Sequence, residues 1–169
     1  MTTPTPSPAP ARVRVLVADD EAIARDGLCA LLAADPEVEV VAQCADGAQA
    51  VKALREMHPD VAFLDVQMPA LDGFAVLRHI EDDHIPTIVF VTAYDRYALR
   101  AFDAHAVDYL LKPFENERFR LALARAKERA RSVALGDSAD RGLLRSLTPP
   151  SGSRCVRKDS DKGRCGPAG

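Results

Sequence analysis

The 169-residue sequence contains no tryptophan, and aromatic residues make up only 5% of it. Single-stranded nucleic acid is bound on exposed aromatic rings, so a stacking platform of that kind is not expected. The four cysteines are too few and too scattered for a disulfide scaffold in a chain of this length. No apolar run approaches the roughly 20 residues of a membrane-spanning helix, and we expect no membrane association.

The sequence also lacks a strong excess of charge of one sign. Lys and Arg number 22 and Asp and Glu 25, for a formal net charge of -3. This balance argues against a surface built as a whole for nucleic acid or acidic lipid. The N-terminal segment has no apolar stretch typical of a signal peptide, so a cytoplasmic location is expected.

Three segments differ in composition. Residues 1–11 alternate proline with small polar residues, which predicts a disordered Pro/Thr-rich arm. Residues 12–135 carry regular hydrophobic patterns and are predicted to form one domain. Residues 136–169 are rich in Gly, Pro, Ser and basic residues, which predicts a disordered basic tail.

Short apolar runs alternate with segments of helical periodicity along residues 12–135. The predicted strands are Val13–Ala18, Val38–Ala42, Val61–Leu64, Thr87–Val91 and Val107–Leu111. The fourth of the five predicted helices, carrying Tyr97, Ala98, Ala101 and Phe102, has the weakest apolar stripe. Strict alternation predicts an α/β fold with a mainly parallel, doubly wound sheet. The second strand carries Glu37, Glu39 and Gln43 and is predicted at an edge.

Strongly polar residues follow four of these strands where the strands end. They are Asp19 and Asp20 after the first, Asp65 after the third, Thr92 after the fourth, and Lys112 and Pro113 after the fifth. In a sheet of this type ligands bind beyond the carboxyl ends of the strands. Three neighbouring carboxylates repel one another, and a hard divalent cation such as Mg²⁺ relieves that repulsion. No His or Cys accompanies them, which argues against zinc.

The same set of residues suits phosphoryl transfer. A carboxylate can attack phosphorus as a nucleophile, while a cation, an ammonium and a hydroxyl neutralise the phosphoryl oxygens. Taken singly, each residue has a structural explanation as well: Asp19 and Thr92 as helix caps, Lys112 as a solvated charge, and Tyr109 as a half-buried strand aromatic. Only their combination favours a functional site.

Five separated motifs resemble the receiver domain of two-component response regulators. They are Asp19-Asp20, Asp65-Val-Gln-Met-Pro69, Leu71-Asp72-Gly73, Thr92-Ala93 and Lys112-Pro113-Phe114. The resemblance implies a flavodoxin-like (βα)5 fold with strand order 2-1-3-4-5. It implies that Asp65 is the phosphoacceptor, that Asp19 and Asp20 form an acidic pocket, and that Mg²⁺ is held by Asp20, Asp65 and the backbone carbonyl of Gln67.

The resemblance also implies roles for the residues around this pocket. Thr92 and Lys112 contact the phosphoryl group, Thr92 and Tyr109 form a conformational switch, and the Lys112–Pro113 peptide bond is cis. A sensor histidine kinase is the implied phosphoryl donor. The surface made by the fourth helix, the fifth strand and the fifth helix (the α4-β5-α5 face of the family) is the implied site of homodimerisation or output control.

The segment from Thr92 to Phe114 is similar to the receivers of LytTR-type response regulators, which carry a C-terminal DNA-binding domain. A domain of that kind needs on the order of 100 residues. Only 34 residues follow Leu135 (169 minus 135). We therefore expect the output domain to be absent from this chain, and any contact with DNA to be made through that domain alone.

Two other functions stay open. A phosphatase of the haloacid dehalogenase type also uses an Asp nucleophile, Mg²⁺ and a Lys, but its second Asp follows two residues after the first. Gln67 stands at that position after Asp65, and Glu21 after Asp19. A DNA-binding regulator acting through this chain alone needs a reading helix, and the tail offers none. The prediction is a regulator of transcription that is not an enzyme beyond catalysing its own phosphorylation and dephosphorylation.

Overall fold

The computed structural model describes residues 11–80, 84–97, 101, 104 and 106–135. Five parallel strands form one sheet in the order β2-β1-β3-β4-β5, which confirms the predicted doubly wound fold and the edge position of β2. The strands are β1 Val13–Ala18, β2 Val38–Cys44, β3 Val61–Leu64, β4 Thr87–Thr92 and β5 Asp108–Leu111. Each lies within two residues of its predicted bounds.

Helices follow the strands. They are α1 Ala22–Ala33, α2 Gly47–Met57, α3 Gly73–Arg78 and the last helix, Asn116–Ala134, with a 3₁₀ turn at Asp95–Tyr97 after β4. Tyr97, expected on the stripe of the fourth helix, ends this turn, and most of that predicted helix lies outside the described residues. So do residues 1–10 of the predicted arm and all of the predicted tail. Within the described ranges, no helix combines the length and apolarity needed to cross a membrane.

The alternation of side chains along the strands builds two apolar layers, one on each face of the sheet. Val15 and Val17 of β1 pack with α1 and the last helix, whereas Leu16 and Ala18 pack with α2 and α3. The last helix buries one apolar stripe, made by Phe119, Ala122, Leu123, Ala126 and Ala130. Because the strands are parallel, their C-terminal ends lie at a single edge of the sheet, and the helices on both faces leave that edge open to a ligand.

Ion pairs fasten the last helix to the sheet. Arg118 binds the Asp108 carboxylate through both terminal nitrogens, and Arg125 Nη1 lies 2.9 Å from Asp108 Oδ2. At the opposite end of the sheet Lys127 bridges Asp35 and Glu37. These contacts hold the last helix to the start of β5 at one side of the sheet and to the segment before β2 at the other.

Candidate functional site

The hydrogen-bonding register carries the polar residues at the ends of β1 and β3 to one edge. The Asp19 amide donates to the Cys44 carbonyl at 3.0 Å, and the Asp65 amide donates to the Ala18 carbonyl at 2.8 Å. Each amide therefore extends the ladder by one residue beyond the strand. The carboxylates of Asp19 and Asp65 start from adjacent positions on neighbouring strands.

The same extension brings the residues from β4 and β5 to that edge. Thr92 pairs with Leu111, and the Lys112 amide donates to the Thr92 carbonyl at 2.8 Å. The Lys112–Pro113 peptide bond is cis. Four strand ends therefore present carboxylates, a hydroxyl and an ammonium together, although the residues lie up to 93 positions apart.

Lys112 joins two of the carboxylates. Its Nζ lies 2.5 Å from Asp19 Oδ2 and 3.3 Å from Asp65 Oδ2. The side chains are 17% exposed for Lys112, 2% for Asp19 and 9% for Asp65. Water screens these charges little, so the interaction is strong but its desolvation cost is also large.

Burial and charge act on the two partners in opposite ways. Burial raises the pKa of the Asp65 carboxyl and outweighs the amide of Gln67 and the ammonium of Lys112, which lower it. Burial acts to lower the pKa of Lys112, but its hydrogen bond to Asp19 and the charge of Asp65 outweigh burial and raise that pKa. The ammonium therefore stays charged, while Asp65 carries a desolvation cost that a further cation would reduce.

Asp19, Asp20 and Asp65 form an acidic cluster, with one carboxylate oxygen from each lying within 4.8 Å of the others. Asp19 and Asp65 are buried and Asp20 is exposed. Asp20 and Gln67 line an open cleft of about 500 Å³ beside the cluster. Three carboxylate oxygens beside an open cleft fit a hard divalent cation that keeps part of its water shell.

The Thr92 hydroxyl gives independent evidence that this edge can bind an anionic group. Its Oγ1 is buried and has no hydrogen-bond partner among the residues that the structure describes. A buried hydroxyl without a partner costs about 1–3 kcal/mol. An anionic group bound over Asp65 would give this hydroxyl an acceptor.

The loop after β3 is held tightly against the strand ends. Asp65 Oδ1 accepts from the Gln67 amide at 3.0 Å, and the Gly73 amide donates to the Val66 carbonyl at 2.9 Å. A Cβ at Gly73 would lie 2.5 Å from the Asp65 carbonyl oxygen. Gly73 is therefore required by a close approach of two backbone segments, and Asp72 caps α3 beside it.

Two tyrosine hydroxyls connect the segment after β4 to its neighbours. The hydroxyl of the half-buried Tyr109 donates to the Tyr94 carbonyl in the segment after β4. The side chain of Gln67 donates from Nε2 to the Tyr97 hydroxyl at 3.2 Å, and Tyr97 lines the cleft. The segment after β4 is thus tied both to β5 and to the loop that follows Asp65.

Sequence reasoning missed three of these relations: the Gln67–Tyr97 bond, the close approach at Gly73 and the position of Arg25. Arg25 Nη1 donates to the Asp19 carbonyl at 2.7 Å. Its sequence position on α1 carries no signal for this contact, because an arginine on a partly exposed helix face reads as a solvated charge. Of the eight residues named for the site, seven lie at or directly after strand ends at this edge, and Tyr109 lies within β5.

The fold and the site define a class of protein. A parallel 2-1-3-4-5 sheet with three acids, a buried hydroxyl and a partly buried ammonium at its C-terminal edge is the arrangement of a phosphoryl-accepting signalling domain. Comparison with known families makes this specific: residues 15–124 match the response regulator receiver domain. The chain belongs to that family.

Named relatives agree with this assignment. The chain is 43% identical over 113 residues to the transcriptional regulatory protein BtsR of Salmonella typhi, and 41% identical over 113 residues to BtsR of Escherichia coli K12. Each match covers 67% of this chain and 47% of the relative, so the chain spans about half the length of the curated relatives it matches.

Solved structures show the same domain. The response regulatory domain of mrkE from Klebsiella pneumoniae superposes with a TM-score of 0.65 at 31% identity, covering 70% of this chain and 98% of that one. The REC domain of AraT from Geobacillus stearothermophilus gives a TM-score of 0.65 at 34% identity, covering 72% and 97%. These findings do not favour the haloacid dehalogenase phosphatase.

Proposed function

We propose that this chain is a phosphorylation-controlled switch in which Asp65 accepts a phosphoryl group from a sensor histidine kinase. The observation that carries the proposal is the convergence of Lys112 Nζ on Asp19 and Asp65, at the same sheet edge as the buried Thr92 hydroxyl, which has no hydrogen-bond partner in the described part of the chain. An ammonium and a hydroxyl donor flanking one carboxylate are the groups that phosphoryl transfer requires of a protein. The protein thus catalyses only its own phosphorylation and dephosphorylation.

Each residue has a defined part in the transfer. A carboxylate oxygen of Asp65 forms a bond to phosphorus as the bond from phosphorus to the donor histidine nitrogen breaks. Lys112 favours the ionised, nucleophilic form of Asp65 and then neutralises charge on the phosphoryl oxygens. Thr92 donates its hydroxyl proton to one of those oxygens, which gives this side chain a partner that it lacks among the described residues.

Mg²⁺ is the cofactor that the acidic cluster fits. Asp20, Asp65 and the backbone carbonyl of Gln67 would hold it, with Asp19 completing the acidic pocket. When bound, the ion supplies positive charge to the transferring phosphoryl group. The oxygen-only donor set and the exposure of Asp20 to the cleft support this choice over a softer metal.

The phosphoryl group adds about two negative charges at Asp65. We propose that Thr92 moves toward it and that Tyr109 follows, releasing the Tyr94 carbonyl that its hydroxyl now binds. The described part of the responding surface exposes apolar side chains, with Leu111 of β5 44% and Leu121 of the last helix 51% exposed. This supports homodimerisation through the α4-β5-α5 face of the family, whose helical contribution after β4 lies outside the described residues.

The finer classification is also a proposal. The segment from Thr92 to Phe114 and the likeness to relatives named as transcriptional regulatory proteins support a LytTR-type regulator of transcription, with DNA bound by a separate output domain. The boundaries proposed for the receiver are residues 12–135. A cytoplasmic location stays a prediction.

The test is phosphorylation of the full chain by acetyl phosphate with and without Mg²⁺, followed by intact and peptide mass spectrometry. We expect one Mg²⁺-dependent phosphoryl group on Asp65, absent from Asp65→Asn. Asp26→Asn is the matched control, because Asp26 is an exposed acid on α1 outside the acidic cluster. Phosphorylation of the Asp65→Asn protein, or an unmodified parent chain, would contradict the proposal.

A further inference from the structure

Arg25 is the one α1 side chain shown to hydrogen-bond the end of β1 in the described structure. Its Nη1 donates to the Asp19 carbonyl at 2.7 Å, and its own amide donates to the Glu21 carbonyl at 2.9 Å. The guanidinium is half-buried. A charged donor on a carbonyl forms one of the stronger hydrogen bonds in proteins, so this contact restrains the backbone at the pocket.

With Arg25 included, every polar atom of Asp19 is engaged. Its amide donates to Cys44, Oδ1 accepts from the Glu21 amide at 3.0 Å, and Oδ2 accepts from Lys112. The carbonyl that Arg25 binds belongs to the peptide group joining Asp19 to Asp20. The orientation of that peptide determines where the exposed Asp20 carboxylate begins.

The charge of Arg25 also reaches the surroundings of the pocket. Burial raises the pKa of the Cys44 thiol at the end of β2 and of the Cys29 thiol on α1, and the charge of Arg25 acts to lower both pKa values. A positive charge near a cation site opposes cation binding, whereas a well-placed Asp20 favours it. The two effects of Arg25 on metal affinity therefore have opposite signs and can be told apart.

We propose that Arg25 is a positioning residue: it holds the Asp19–Asp20 peptide so that the Asp20 carboxylate meets Asp65 in the geometry a divalent cation needs. The inference rests on the proposed function. Arg25 does not contact the reacting atoms. It acts through the backbone of Asp19, which the distance of 2.7 Å to the carbonyl supports.

The experiment measures Mg²⁺ binding to the full chain by titration calorimetry for the parent, Arg25→Met and Arg25→Lys. Loss of charge alone would tighten binding in Arg25→Met, but loss of positioning is expected to weaken it at least threefold. The Mg²⁺ concentration that gives half of the maximal rate of phosphorylation by acetyl phosphate is expected to rise at least threefold in Arg25→Met. Arg25→Lys keeps the charge but not the planar guanidinium, and its Mg²⁺ affinity is expected to lie between those of the parent and Arg25→Met.

A metal-free readout accompanies the titration. Amide hydrogen exchange at Glu21 is expected to be faster in Arg25→Met, since the turn that holds this amide loosens. Arg14→Met is the matched control, because Arg14 Nη1 also binds a carbonyl, that of His58, but at the opposite edge of the sheet. Its Mg²⁺ affinity is expected to equal that of the parent.

The outcomes separate the two claims. Unchanged or tighter Mg²⁺ binding in both Arg25 variants, beside a parent that binds Mg²⁺ and is phosphorylated, overturns the positioning role alone. A parent chain that neither binds Mg²⁺ nor accepts a phosphoryl group overturns the proposed function. If Arg25→Met fails to fold, Arg25→Lys decides: parent-like affinity and parent-like exchange at Glu21 overturn the inference.

Discussion

Replacing Lys112 by methionine tests the electrostatics of the site most directly. Methionine keeps much of the length of the side chain but removes the charge that bridges Asp19 and Asp65. Both carboxylates then remain buried, with side chains 2% and 9% exposed, and without their shared cation. We expect the variant to fold at mildly acidic pH and to be strongly destabilised at neutral pH.

The expected loss in the free energy of unfolding of Lys112→Met follows from the geometry of the site. Removing one partner of a buried ion pair costs about 3–5 kcal/mol. The repulsion left between carboxylate oxygens within 4.8 Å of one another is about 3 kcal/mol at an effective dielectric constant of 20, which agrees with that range. A loss of this size lowers the unfolding midpoint by about 10–20 °C in a domain of this length.

The pH dependence has a definite sign. In the parent, the Lys112 charge lowers the pKa of Asp65 against burial and the Asp19 charge, both of which raise it. Without Lys112 the folded-state pKa of Asp65 lies further above its unfolded value. The free energy of unfolding then falls as pH rises from the unfolded-state pKa to the folded-state pKa. The gap between variant and parent is therefore widest at neutral pH.

Urea unfolding followed by circular dichroism between pH 4 and 8 provides the assay. Lys52→Met is the control, because Lys52 is 75% exposed and lies 4.0 Å from Glu56, a pair of little energetic weight. The free energy of unfolding of Lys112→Met is compared with that of the parent at each pH. A difference that is constant across this range, or larger at pH 4 than at pH 7, would refute the reasoning.

Three further substitutions probe packing and the attachment of the last helix. Gly73→Ala places a Cβ 2.5 Å from the Asp65 carbonyl oxygen and is expected to cost about 1–3 kcal/mol in urea unfolding and to slow phosphorylation by acetyl phosphate. Gly27→Ala, with nothing within 4 Å, should instead stabilise the protein by about 0.5–1 kcal/mol. Burial acts to raise the pKa of Asp108, but Arg118 and its other partners outweigh burial and lower it, so this carboxylate stabilises the fold above its unfolded-state pKa and loses that effect as pH falls. Arg118→Met should cost about 1 kcal/mol at pH 7, since the arginine is 39% exposed, and less at pH 3; equal costs at both pH values would contradict this assignment.

The two-residue alternation within the strands and the 3.6-residue period of the helices made the fold predictable. Val15 and Val17 alternate with Leu16 and Ala18, and the structure assigns the two pairs to opposite faces. Periodicity of this kind is local, so it is legible in one sequence. The strand-end polar residues were predictable for the same reason, because each ends an apolar run.

Relations between distant segments depended on tertiary structure. The sequence by itself determined that acids, a hydroxyl and a lysine would stand at strand ends. Only the tertiary structure decided that Lys112 bridges Asp19 and Asp65. The same holds for the approach of Gly73 to the Asp65 carbonyl and for the hydrogen bond from Arg25 to the Asp19 carbonyl. Such contacts are set by helix rotation and strand register to within a fraction of an ångström, and no local pattern in the chain encodes those two quantities.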